Sequence, residues 1–101
     1  MHVKITDSAP ASGPARDTYL DARIRRVVEP YAAFLDAVEL EVGFDGVLHE
    51  ATLVLRFHDG SPAMFRSKSR RMVNVLANLL DAAEGRLEIT YPSARVREEA
   101  M

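Results

Sequence analysis

Cysteine and tryptophan are both missing from the 101 residues. Without cysteine there is no disulfide framework, no thiol nucleophile and no Cys-based zinc site. Glycine and proline are sparse, five of each, which excludes collagen-like and linker-like chains. No apolar run approaches the roughly 18 residues that a membrane helix needs. The opening "MHVKITDSAP" lacks the apolar core of a signal peptide. An excess of one charge is lacking too. Thirteen Lys and Arg against fifteen Asp and Glu leave a formal charge of -2, which excludes coating of nucleic acid by bulk charge. A local basic face is still allowed, because screening sets in at about 8 Å. What remains is 48% hydrophobic and 28% charged, the balance of one soluble domain with one core.

The chemistry-bearing motifs are missing as well. There is no G-x-G-x-x-G, no P-loop and no G-x-S-x-G elbow. His2, His49 and His58 are scattered, with no pair at helical spacing, and read as surface or strand-edge residues. Asp45 and Asp59 each precede a glycine, so turn-making accounts for them better than acid-base work. The expectation is a protein that is not an enzyme and has no cofactor and no metal.

Hydrophobic periodicity organises the rest. His2 to Thr6 alternates as a short strand, and "DSAPASGP" is a loop. A helix is expected from Ala15 to Asp36, with a kink or broken last turn at Pro30. "VELEVGF" turns Val38, Leu40, Val42 and Phe44 to one face and Glu39 and Glu41 to the other. After the Asp45-Gly46 turn, "EATLVLRFH" buries Ala51, Leu53, Leu55 and Phe57. Asp59-Gly60 reads as a type I′ hairpin turn. A strand from Pro62 to Lys68 turns Ala63, Phe65 and Ser67 inward. Ser69 is expected to N-cap a second helix carrying Met72, Val75, Leu76, Leu79, Leu80 and Ala83. Gly85 is expected to end it. Alternation of Leu87, Ile89 and Tyr91 points to a short extra strand over 86–91, with a continued helix as the other reading. The fold class is therefore α+β, a β-α-β-β-β-α open-faced sandwich with both helices on one face of a four-stranded sheet. Residues 1–92 form the domain, and 93–101 read as a charged, mobile tail.

Two basic clusters stand out. On the first helix, Arg16, Tyr19, Arg23 and Arg26 share a flank that could hold RNA by phosphate contacts and stacking. The competing reading is a solvated flank whose arginine stems cover the core edge. The second cluster is "MFRSKSRRMV", Met64 to Val73. Alternation assigns Arg66 and Lys68 to the open sheet face, where Arg66 and Arg56 could pair with Glu39 and Glu41. Arg70 and Arg71 are expected in the first turn of the second helix. Cations are disfavoured there by roughly 0.3–1 kcal/mol, and a docked phosphate would reverse that sign.

"HVKIT", "VEPYAAFLDAVELEV", "HEATLVLRFHDG" and "RRMVNVLANLLD" together resemble segments of the ribosome hibernation-promoting factor and ribosome-associated inhibitor family, in its short form. The resemblance spans about residues 2 to 84. It implies a cytoplasmic stress-response factor that binds 16S rRNA of the small ribosomal subunit in the mRNA/tRNA channel and keeps ribosomes inactive. On that resemblance Arg23 and Arg26 fall at or near basic positions of the first helix, and Arg86 in the basic end of the second. With Arg66, Lys68, Arg70 and Arg71 they form the candidate rRNA-binding set. Two departures stand against it. "AAEGRLEITYP" has one basic residue where the family has several, and Arg71 stands where many members are acidic. A protein-protein interaction module on the same fold, having lost ribosome binding, is the alternative. A histidine phosphocarrier is a third reading, but "SGPARD" supplies no histidine at the first helix start.

Overall fold

In the computed structural model, residues 1–92 are described; the expected tail at 93–101 lies outside them. The elements are β1 (His2–Asp7), α1 (Pro14–Val28), a 3₁₀ segment (Glu29–Phe34), β2 (Leu35–Phe44), β3 (His49–Phe57), β4 (Pro62–Ser69) and α2 (Met72–Thr90). This is the expected β-α-β-β-β-α order. The sheet runs β1-β2-β3-β4. β1 lies parallel to β2, and the other two pairs are antiparallel.

Local chemistry explains most element boundaries. Pro14 opens α1 with its φ already near the helical value and no donor to waste, and the Asp17 amide donates to Gly13 O at 2.9 Å. The α-helix stops at Val28, not Asp36. Pro30 cannot donate into the ladder, so the chain tightens into the 3₁₀ segment, and Leu35 and Asp36 already belong to β2. Tyr31 and Leu35 stay in the core through this change of pitch.

Both hairpin turns carry a single left-handed residue, and in both it is glycine: φ is 99° at Gly46 and 89° at Gly60. Asp59 has no positive φ, so the second turn is not type I′. Instead the Gly60 amide donates to Phe57 O at 2.9 Å and the Phe57 amide donates to Ser61 O at 3.0 Å. That pattern is a three-residue loop whose last residue is left-handed. Asp59 Oδ1 accepts the Ser61 hydroxyl at 2.6 Å and the Ser61 amide at 2.8 Å, which fixes the loop.

The larger departure is at α2. Gly85 does not end it, residues 86–91 form no strand, and the helix continues to Thr90. The period-two reading of Leu87, Ile89 and Tyr91 loses to a period near 3.6 through Leu80, Ala83, Leu87 and Tyr91. Leu87 is fully buried, whereas Ile89 is 83% exposed. Tyr91 stacks on Phe34 with ring centroids 4.1 Å apart and planes 5° from parallel, and its centroid lies 5.9 Å from that of Phe57. Burying a leucine is worth about 1.5–3 kcal/mol, more than the roughly 1 kcal/mol cost of glycine inside a helix.

The core forms between the helices and one face of the sheet. Leu20, Ile24 and Val28 of α1 and Val75, Leu76, Leu79, Leu80, Ala83 and Leu87 of α2 join the inward rows of β2, β3 and β4. Phe44, expected inward, sits at the strand end and is exposed. The opposite sheet face is bare among the described residues.

Candidate nucleic-acid interface

The seven candidate cations lie on four parts of the fold. They occupy the α1 flank, the open sheet face, the β4–α2 junction and the far end of α2.

On α1 the expected basic flank is thinner than its sequence. Arg16 turns inward, and its Nε lies 2.8 Å from Asp7 Oδ2, whose side chain is 1% exposed. Asp7 Oδ1 also accepts the Ala9 amide at 3.0 Å. This half-buried pair closes the loop between β1 and α1, and no periodicity announces it, because Asp7 is simply the polar end of a strand. Arg23 donates from Nη1 to the Tyr19 hydroxyl at 3.0 Å, and its guanidinium lies 5.9 Å from the centre of the same ring. Arg25 pairs with Asp21 one turn back, Nε to Oδ1 at 2.6 Å. That leaves Arg26, exposed and with no ion-pair partner among the described residues.

The open sheet face is a lattice of mixed charge. Arg56 pairs with Glu39 at 2.6 Å and Lys68 with Glu50 at 3.4 Å. The hydrogen bond from Arg56 holds the Glu39 carboxyl below its usual range, aided by the Arg56 charge, and the same contact raises Arg56. Arg66 does not reach Glu39 or Glu41 as expected. The register sets it opposite Thr52, and it has no ion-pair partner among the described residues. A cavity of about 470 Å³ spreads along this face, lined in part by Ser8, Glu41, Glu50, Thr52, Arg66 and Lys68.

At the β4–α2 junction, Ser69 is not the N-cap. Its Oγ accepts the Arg71 amide at 3.3 Å, and Arg71 itself takes the cap position with extended φ, ψ of -117° and 128° and no side-chain cap. Arg70 therefore precedes the first turn of α2 rather than lying in it, while Arg71 sits at the cap, still beside the positive end of the helix dipole. Both are exposed and without an ion-pair partner among the described residues, and the first turn has no acidic residue. Arg86 is exposed near the far end of α2, with Glu84 and Glu88 beside it in sequence.

No three His, Cys, Asp or Glu side chains cluster to hold a metal among the described residues. None of their helices is long and apolar enough to cross a membrane.

The architecture is an α+β open-faced sandwich: a mixed four-stranded sheet backed by two helices. Solved structures share it, among them the following two. A ribosomal subunit interface protein from Coxiella burnetii superposes with a TM-score of 0.74 at 16% identity, covering 89% of this chain and 97% of that one. The N-terminal domain of Protein Y from Thermus thermophilus gives 0.71 at 12% identity, covering 89% and 99%. No family model matches the sequence, and no curated protein matches it significantly. At these identities the likeness is one of fold.

Proposed function

We propose that this protein is a non-enzymatic, cytoplasmic, ribosome-associated factor that binds the small subunit through 16S rRNA in the mRNA/tRNA channel and holds ribosomes inactive. The observation that carries this reading is the coverage of the fold. Its α+β body corresponds to nearly the whole length of a ribosomal subunit interface protein. Continuation of α2 past Gly85 adds support, because it restores a long second helix where the sequence pointed to a break.

Arg26, Arg70, Arg71 and Arg86 would bear most of the phosphate contacts, since each is exposed and unpaired among the described residues. Arg23, with the Tyr19 ring beside it, offers a stacking platform. Arg66 and Lys68 lie on the open sheet face, where Glu50 already occupies Lys68. The alternative, a protein-binding module on the same fold, is favoured by one local fact: the end of α2 has a single basic residue among two glutamates.

Co-sedimentation of the purified chain with small subunits at low salt separates the two. Retention that is lost in the Arg70→Glu, Arg71→Glu double variant supports rRNA binding. Absence of the protein from the small-subunit pellet at the lowest salt would end this reading.

A further inference from the structure

We infer that the free edge of β4 is a docking site for an extended acidic polypeptide segment, which joins the sheet as a fifth strand. The site needs neither rRNA nor the ribosome.

β4 is the last strand of the sheet, so one side of its main chain has no strand partner among the described residues. The bond from the Phe57 amide to Ser61 O sets the hydrogen-bonding parity of the β3–β4 hairpin. Hydrogen-bonded and non-bonded pairs alternate along an antiparallel ladder. Ala63, Phe65 and Ser67, opposite Leu55, Leu53 and Ala51, therefore spend their main-chain groups on β3. Met64, Arg66 and Lys68 turn theirs outward, three amides and three carbonyls at period two. Pro62 supplies no amide and marks one end of the run.

The side chains of the same three residues stand on the open sheet face, and Met64 is 58% exposed. From Pro62 to Arg71 the chain holds four cations and no acidic residue. A strand laid along this edge would place alternate side chains beside Arg66, which has no ion-pair partner among the described residues, and beside Lys68, which already lies 3.4 Å from Glu50; carboxylates pair favourably across strands, so Arg66 is the main anchor. Its other side chains would meet Phe65, which is half-buried, and Ser67, whose Oγ accepts Asn78 Nδ2 at 3.3 Å. The segment that fits alternates acidic residues with apolar or small ones.

Other occupants fit less well. A second copy of β4 would bring two all-cationic runs together, and like charges across a strand pair are destabilising. Indeed, lysine, arginine and proline on an edge strand protect it from its own kind, while leaving it open to an acidic strand. A nucleic acid would satisfy the cations and the amides, but its phosphates would face the three outward carbonyls, which need donors. A peptide main chain supplies both kinds of group.

The test uses a labelled ten-residue peptide alternating glutamate and valine, with the full chain. Fluorescence anisotropy reads binding, and amide hydrogen exchange by NMR reads the edge. The peptide should bind, and exchange at Met64, Arg66 and Lys68 should slow by about tenfold or more as the edge becomes paired. Arg66→Glu should weaken binding by about tenfold; Arg66→Gln serves if that variant loses its melting transition. A version of the peptide N-methylated at alternate residues, unable to pair along one side, should bind at least about tenfold more weakly. Failure of the glutamate-valine peptide to bind, equal binding of the methylated version, or unchanged exchange at the three amides would each overturn the proposal. So would protection of the same amides by a ten-residue oligouridine that displaces the peptide, which would assign the edge to nucleic acid.

Discussion

Three carboxylates at the surface illustrate how much a single side chain decides here. Asp45 Oδ1 accepts the amides of Leu48 at 2.7 Å and Val47 at 2.9 Å, and these bonds hold its carboxyl below the usual range. Asp59 is lowered by the Ser61 hydroxyl and amide, and Glu39 by Arg56. A carboxyl whose folded pKa lies below its unfolded value stabilises the protein above the unfolded value, and that contribution fades as pH falls through the folded value. Urea midpoints should therefore be nearly flat from pH 7 to about pH 5 and drop below about pH 4. The triple variant Glu39→Gln, Asp45→Asn, Asp59→Asn should show a shallower acid-side drop than the parent. An equally steep drop in that variant would assign the acid sensitivity to other carboxylates. Of these three residues, the two aspartates were legible as turn-formers from the glycine that follows each. Arg16 was not legible: at helical spacing it belongs with Arg23, and only the buried Asp7 across the loop draws it inward.

At the scale of elements, α2 is the instructive case. "EGRLEITYP" contains both a helix-stopping glycine and a strand-like alternation, and local rules favour ending the helix. The far end is held by side chains remote in sequence: Leu87 in the core, and Tyr91 against Phe34 and Phe57. Gly85 is thus an interior helical residue with nothing within 4 Å of the place a Cβ would occupy. Gly85→Ala should raise stability by about 0.5–1 kcal/mol, by helix propensity alone, read as a higher urea midpoint with unchanged slope. Had Gly85 been a left-handed terminal residue, the same substitution would destabilise. The inward row of β3 needed no such correction. In β3, Ala51, Leu53, Leu55 and Phe57 alternate with half-buried or exposed neighbours and are buried as their period dictates, because a sheet with one covered face penalises any one-residue slip.

For the molecule as a whole, the near-neutral balance of charge limits how it can meet RNA. Arg26, Arg70, Arg71 and Arg86 are spread over α1, the β4–α2 junction and the end of α2. If all four contact phosphates on the small subunit, the log of the binding constant should fall against log salt with a slope of about -3. A sedimentation or anisotropy titration between low and physiological salt measures it. A slope near zero with binding intact would point to protein contacts and favour the alternative module.

The sequence by itself determined the order of elements, most inward positions of the strands, the apolar stripes of both helices and the lack of thiol chemistry. Those features depend on neighbours within a turn or a strand, where periodicity is legible. Only the tertiary structure decided where α2 ends, that Arg16 serves Asp7, that Arg56 rather than Arg66 takes Glu39, and that β4 keeps a free cationic edge. Each of those depends on groups brought together across the sheet or between helix and loop, where burial and pairing outweigh the roughly 1 kcal/mol preferences that local sequence expresses.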